Sequence, residues 1–167
     1  MNTLFIIVNT TQYAYHKELL SLLETKVFLD FSNIYTIDID KQQTHSTVSQ
    51  QLSSTNPNLI ITLDLAGFEL RTLTGECLLN MLPCKVCNIL WGNKSEYCKY
   101  LTGKLSLSML FYDATSTDNQ LPSKYPNMRY YYPTSRAIPT TALNDTESEI
   151  IETLQNIWNH FIEEVLL

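Results

Sequence analysis

Short apolar runs separated by polar segments recur along the chain and predict a parallel β-sheet. The runs 4–8 (LFIIV), 59–63 (LIITL) and 86–91 (VCNILW) are apolar at almost every position. Strands that are covered on both faces have this composition, and runs of five or six residues are too short for independent helices. Residues 59–63 follow the turn-forming sequence NPN. We therefore predict that they form the central strand of the sheet.

Weaker patterns complete the predicted sheet and its connections. Residues 33–39 (NIYTIDI) alternate between two faces, as expected of a strand near a sheet edge with one wetter face. Residues 105–112 and 128–132 are further strand candidates. Apolar positions at helical spacing predict a helix that reaches Thr25 and a short surface helix over 44–53.

The C-terminal segment, residues 146–167, is the clearest predicted element. Thr146 and Glu149 form a capping box, and apolar residues then recur at 3.6-residue spacing. We expect this apolar stripe to cover the sheet; the alternative is an interface with a partner chain or a second copy. Strands alternating with helices predict a single three-layer, Rossmann-like α/β domain over residues 1–167, with a mainly parallel sheet.

The charge and composition of the chain indicate which classes of partner to expect. The chain has 11 Lys and Arg residues against 17 Asp and Glu residues, a net charge of -6, which argues against nucleic acid as a partner. No apolar stretch approaches the roughly 20 residues that span a bilayer. Residues 1–8 lack the basic start and long apolar centre of a signal peptide. We expect a soluble, cytoplasmic protein without a membrane span.

The four cysteines cluster within a short part of the sequence, at Cys77, Cys84, Cys87 and Cys98. The C-x-x-C spacing of Cys84 and Cys87 is typical of a zinc or redox pair. However, the chain has no second C-x-x-C pair, and no histidine lies inside the cluster. We therefore predict reduced thiols and no bound metal.

Polar residues follow the apolar runs and form the candidate site. Parallel strands deliver their carboxyl ends to the same sheet edge, where ligands of open α/β folds bind. The predicted ligand-binding residues are Asn9, Gly67, Gly92, Lys94 and Asp113. The chain has 4 Gly, no G-x-G-x-x-G sequence and no Walker lysine, so we predict no dinucleotide or other cofactor.

Two acidic residues beyond the central strand, Asp64 and Glu69, are the predicted catalytic residues. Two carboxylates in one crevice divide into an acid and a base when their environments separate their pKa values. The alternative for Asp64 is a helix cap, because Asp is a strong N-cap residue. His16 and His45 have no acidic or cysteine neighbour at the predicted helix starts, and we assign them no role.

The segment 63–69, LDLAGFE, and the elements around it resemble the amino-terminal half of GT-B glycosyltransferases of the lipid A disaccharide synthase type. In that family a strand ends in a segment similar to Ile-Asp-Ala-Pro-Asp-Phe-Asn. Asp64 and Phe68 match it, and Gly67 stands where the family has its second aspartate. The resemblance covers residues 58–101.

This resemblance implies the acceptor half of a glycosyltransferase. Residues 1–167 contain no counterpart of the donor-binding half, so such a domain is expected to act with a donor-binding partner chain. The alternative is a non-catalytic module that binds a small ligand or nucleotide and has a regulatory role. Because this architecture hosts many functions, the sequence leaves open whether the domain is an enzyme.

Overall fold

A computed structural model of the protein describes residues 3–28, 31–39, 45–71, 74–92, 109–114, 127–130 and 146–166. Within these ranges, six strands form one parallel sheet in the order β2-β1-β3-β4-β5-β6. The strands are β1 (Thr3–Val8), β2 (Asn33–Asp38), β3 (Leu59–Leu63), β4 (Lys85–Leu90), β5 (Met109–Asp113) and β6 (Met128–Tyr130). The strand order reverses between β1 and β3, and we call this position the switch point.

Three α-helices lie within the described residues. They are α1 (His16–Leu22), α2 (His45–Thr55) and α3 (Glu147–Leu166). A π-helical turn, Leu23–Val27, continues α1 beyond the predicted end at Thr25, and a 3₁₀ turn, Leu78–Met81, precedes β4. Among the described helices, none is long and apolar enough to cross a membrane.

The central position of residues 59–63 is confirmed. β3 spans Leu59–Leu63, is buried at every position and lies between β1 and β4. Apolar residues at five successive positions suit a strand that is covered on both faces, because both sets of alternating side chains are removed from water. β5 starts at Met109 and includes Asp113, whereas residues 105–108 of the predicted strand lie outside the described residues.

Helices cover both faces of the sheet, which confirms the three-layer α/β architecture. On one face, which we call the α2 face, Val48 and Leu52 of α2 pack with the segment that follows β3. On the other, the α3 face, α1 and α3 pack against the sheet. The buried stripe of α3 consists of Ile150, Leu154, Ile157 and Phe161. These side chains therefore cover the chain's own sheet.

The N-terminus of α3 has half of the predicted capping box. The Thr146 hydroxyl accepts a hydrogen bond from the Glu149 backbone N–H at 3.3 Å. This contact satisfies one of the donors that the first turn of a helix leaves without an intrahelical partner.

A buried polar pair connects three strands on the α2 face. The Thr62 hydroxyl donates to Asn88 Oδ1 at 2.6 Å, and Asn88 Nδ2 donates to the Leu110 carbonyl at 3.2 Å. Thr62 and Asn88 are also partners in the β3–β4 register. A shift of either strand by one residue would leave buried polar atoms without these bonds, so the pair favours the observed register.

Candidate functional site

The chain leaves β3 through an unusual backbone conformation. Asp64 has φ +50° and Leu65 has φ +57°, both in the left-handed region. This region costs an L-residue roughly 1–2 kcal/mol, although Asp tolerates it better than Leu. The two residues are the centre of a tight turn that is closed by a hydrogen bond from the Ala66 N–H to the Leu63 carbonyl. Two further turns follow, closed by hydrogen bonds from the Phe68 N–H to Leu65 and from the Leu70 N–H to Gly67. Residues 64–69 are thus a series of turns and not the start of a helix.

Four described donors form hydrogen bonds with the Asp64 carboxylate at the carboxyl edge of the sheet. Its Oδ1 accepts the backbone N–H groups of Trp91 at 2.7 Å and Gly92 at 2.8 Å. Its Oδ2 accepts the Tyr15 hydroxyl at 2.5 Å and lies 2.8 Å from His16 Nε2. We call these five residues the Asp64 network. Bonds to an ionised acceptor are about twice as strong as neutral ones, so the network is a strong local constraint.

His16 extends the network to the loop after β1. Its Nδ1 accepts the Asn9 backbone N–H at 2.9 Å. Nδ1 is therefore the acceptor nitrogen, and Nε2 carries the proton that is donated to Asp64. The His16 and Asp64 side chains are both 0% exposed. The network consequently ties together the three loops that follow β1, β3 and β4.

The sequence pattern assigned no role to His16, and its place in the Asp64 network shows that this was wrong. The residue has an acidic partner, but that partner lies 48 positions away along the chain. Asp64, for its part, holds the backbone after β4 and does not cap a helix that follows it.

Above the network, polar groups form a rim on the loop after β1 and the end of β2. We call Asn9, Thr10, Gln12 and Asp38 the first-loop rim. The Asn9 side chain accepts the Gln12 backbone N–H at 2.9 Å, which shapes the loop. The Asp38 carboxylate accepts the Thr10 backbone N–H at 2.9 Å and also the Thr10 hydroxyl. Gln12 and Asp38 are exposed, whereas Asn9 and Thr10 are half-buried.

Asp38 is absent from the sequence-based site. Its signal is nevertheless available, because it is one residue from the end of the predicted edge strand 33–39 and so lies at the same sheet edge as the other candidates.

Three of the predicted site residues meet in the Asp64 network or at its margin. Gly92 donates to Asp64 directly, and Asn9 is joined to it through His16. Asp64 and Gly92 are buried below the edge, whereas Asn9 is half-buried in the loop above. Lys94 lies outside the described residues.

The other predicted site residues occupy different environments. Glu69 is exposed, and its carboxylate accepts the Gly67 backbone N–H at 3.2 Å. Gly67 is buried with φ +95°, and a Cβ there would lie 3.4 Å from Ile7 and 3.5 Å from Leu79. Asp113 is buried at the end of β5, where Leu90 is its register partner. The two predicted catalytic carboxylates thus differ in burial, and their catalytic roles stay predictions.

The C-x-x-C cysteines point away from a shared site. Cys84 packs against the apolar cluster on the α2 face, and Cys87 belongs to the cluster on the α3 face. The sheet therefore separates the two thiols. In the part of the chain that the structure describes, no three His, Cys, Asp or Glu side chains are grouped to hold a metal ion. The prediction that no metal is bound is tested by metal analysis of the purified protein.

We expect Cys84 and Cys87 to react slowly with iodoacetamide at neutral pH. Burial raises the pKa of both thiols, so the reactive thiolate forms only at a higher pH than usual. Peptide mapping by mass spectrometry of the folded protein should find both unmodified while free glutathione in the same tube reacts, and modification should increase as the pH rises. Both should react once the protein is denatured. Rapid modification of Cys87 in the folded protein at neutral pH would contradict its burial.

The site therefore has two parts: the buried Asp64 network, which joins three loops at the switch point, and the first-loop rim, which carries hydroxyl, amide and carboxylate groups. The network is internal, whereas parts of the rim face solvent. The chain matches no protein-family model, no curated protein and no solved structure.

Proposed function

We propose that this chain is a ligand-binding domain whose ligand lies over the switch point, in contact with the first-loop rim. The observation that carries the proposal is the Asp64 network. It lies where the loops after β1 and β3 meet, which is the position of the ligand crevice in open α/β folds. The network would act as the floor of this crevice.

The cost of the network supports a functional role. The buried Asp64 carboxylate needs its hydrogen-bond donors to offset the loss of hydration, and two left-handed non-glycine residues beside it add strain. Backbone strain of this kind clusters at ligand sites, where the surrounding structure holds it in place. Holding the loops before binding lowers the entropy that a ligand must overcome, so the network increases affinity by preorganisation.

The rim favours a small molecule that carries hydroxyl groups. Asp38 offers a carboxylate to hydroxyl donors, and the amides of Asn9 and Gln12 both donate and accept. The loop 9–14 contains no glycine. A pyrophosphate therefore cannot approach its backbone as closely as it approaches a glycine-rich loop. We therefore propose recognition through hydroxyl groups and not through phosphate.

Within this proposal, Asp64 is a positioning residue. Its carboxylate accepts four hydrogen bonds and its side chain is fully buried, which suits the role of holding the loops. The acceptor of a glycosyltransferase would itself be a hydroxyl-bearing ligand, so the acceptor-half hypothesis is one form of the same proposal. In that form the exposed Glu69 remains the candidate for proton transfer, with a donor-binding partner chain still to be found.

A thermal-shift screen tests the proposed ligand class. The panel consists of monosaccharides, nucleosides, nucleotides and nucleotide-sugars. A ligand at 100 times its dissociation constant stabilises the folded state by about 2.7 kcal/mol. For a chain of this length, that corresponds to an increase in Tm of roughly 5–10 °C. We expect such an increase with at least one hydroxyl-rich compound.

The same screen on two variants locates the site. Asp38→Asn should abolish most of the ligand-induced shift, because the carboxylate acceptor is lost while the size of the side chain is kept. Glu152→Gln, an equal change of charge on an exposed position of α3, should leave the shift unchanged. If no compound in the panel shifts Tm, or if Asp38→Asn binds like the native protein, the proposal is wrong.

A further inference from the structure

The outer edge of β2 carries backbone groups with which no described strand pairs. Within the described residues, β2 pairs with β1 alone and forms one edge of the sheet. The Ile39 N–H donates to the Val8 carbonyl at 2.7 Å, which fixes the direction of the backbone. The direction of the backbone N–H and C=O groups alternates along a strand. These groups therefore point toward β1 at the odd-numbered residues Asn33, Tyr35 and Ile37. The N–H and C=O groups of the even-numbered residues 34 and 36 consequently face outward.

The β2 strand itself lacks the sequence features that normally prevent an edge strand from pairing with another chain. Natural edge strands are protected by lysines, prolines, bulges or short length. The β2 sequence NIYTID contains no Lys, Pro or Gly, and its register with β1 runs without a bulge from Asn33 to Asp38. Its one charged group, the Asp38 carboxylate, accepts hydrogen bonds from Thr10 of the same chain.

The side chains of β2 also favour an intermolecular contact. Tyr35, in the middle of the strand, is 43% exposed and stacks on Phe5 with the ring centroids 6.1 Å apart. β-Branched and aromatic residues such as these stabilise sheets through cross-strand pairs. The strand thus offers both an open backbone edge and an aromatic side chain for a pairing strand.

We propose that a second copy of this chain pairs with β2 in antiparallel orientation, about a two-fold axis that passes beside Tyr35. In this register Ile34 of each copy lies opposite Thr36 of the other, and each such pair exchanges two backbone hydrogen bonds. The two Tyr35 residues face each other at the close, non-hydrogen-bonded position. The six-stranded sheet is thereby doubled across the dimer.

Self-pairing is favoured over another partner because the strand is complementary to itself. Asp38 of one copy lies opposite Ser32 of the other, so the two carboxylates are kept apart at opposite ends of the contact. The contact is isologous and closes after two copies, which avoids open-ended association of edge strands. This proposal does not rest on the proposed ligand site, although Asp38 belongs to both the contact and the first-loop rim.

Light scattering coupled to size-exclusion chromatography tests the dimer. The native protein should elute at micromolar concentration with twice the chain mass of 19.2 kDa. Thr36→Pro removes the backbone N–H of residue 36, which would bond to the second copy. Pairing with β1 does not use this N–H, so a proline is compatible with an edge strand at this position. The substitution should raise the dimer dissociation constant by at least about tenfold, or 1.4 kcal/mol. The matched control Thr36→Val also loses the Thr36–Glu24 hydrogen bond but keeps the N–H, and it should remain dimeric.

A second variant keeps the test decisive if Thr36→Pro fails to fold. Tyr35→Glu leaves the backbone unchanged but places two like charges opposite each other across the two-fold axis, and it should be monomeric. Circular dichroism establishes that each variant is folded. A monomeric native protein, or a native-like dimer for folded Tyr35→Glu, would overturn the proposal.

Discussion

Replacing Asp64 with alanine is expected to lower the free energy of unfolding by about 3–5 kcal/mol, at the upper end of single substitutions, because it breaks a buried hydrogen-bond network. The variant loses the acceptor for Tyr15, His16 and the backbone N–H groups of Trp91 and Gly92. All four donors then lie buried without this partner, which is more costly than the loss of an exposed contact. In a thermal melt, Tm should fall by roughly 6–20 °C for a chain of this length.

Two further variants distinguish the network from a general effect of losing a carboxylate. Asp64→Asn keeps one oxygen acceptor, but its NH₂ group replaces the other oxygen and faces groups that are themselves donors. We therefore expect the free energy of unfolding to fall by a smaller amount, about 1–3 kcal/mol. Glu69→Gln changes the second predicted catalytic carboxylate, which is exposed, and should alter stability by no more than about 0.5 kcal/mol. Native-like stability of Asp64→Ala would show that the network is not formed.

Truncation of Phe161 is the second substitution expected to have a large effect. This α3 residue is fully buried, and its ring centroid lies 5.9 Å from that of Trp158 and 6.4 Å from that of Tyr112. Phe161→Ala removes buried apolar surface and leaves a cavity between α3 and the sheet. We expect the free energy of unfolding, measured by urea titration, to fall by about 3–5 kcal/mol.

A neighbouring surface position provides the control for Phe161. Glu163 is exposed on the same helix, two residues further along the chain. Glu163→Ala should change stability by no more than about 0.5 kcal/mol. If Phe161→Ala and Glu163→Ala were equally stable, α3 would not be packed on the sheet through this face.

The sequence pattern predicts the strands well because burial acts on every residue of a run. Residues 59–63 are covered on both faces, so all five positions are apolar and the predicted boundaries agree with those of β3. The helical stripe of α3 is equally direct, since Ile150, Leu154 and Phe161 must all face one surface. Patterns of this kind predict which side chains are buried in the core and which are exposed to solvent.

The Asp64 network depends on information that such patterns do not contain. The contacts of Asp64 with Tyr15 and His16 join positions 49 and 48 residues apart, and they require particular side-chain directions. The left-handed conformation of Leu65 has no signal in the sequence, because leucine rarely adopts it without tertiary support. Strand topology placed Asp64 at the carboxyl edge of the sheet, but the sequence pattern could not identify which polar residues are buried there.

Amide hydrogen exchange in the native protein tests the Asp64 network most directly. The Trp91 and Gly92 N–H groups lie just beyond the end of β4 and donate to the buried Asp64 carboxylate. We expect NMR to show that both exchange orders of magnitude more slowly than the amide of Gly75, which is in an exposed turn. Exchange of Trp91 and Gly92 as fast as that of Gly75 would contradict the network and, with it, the preorganised floor of the proposed ligand site.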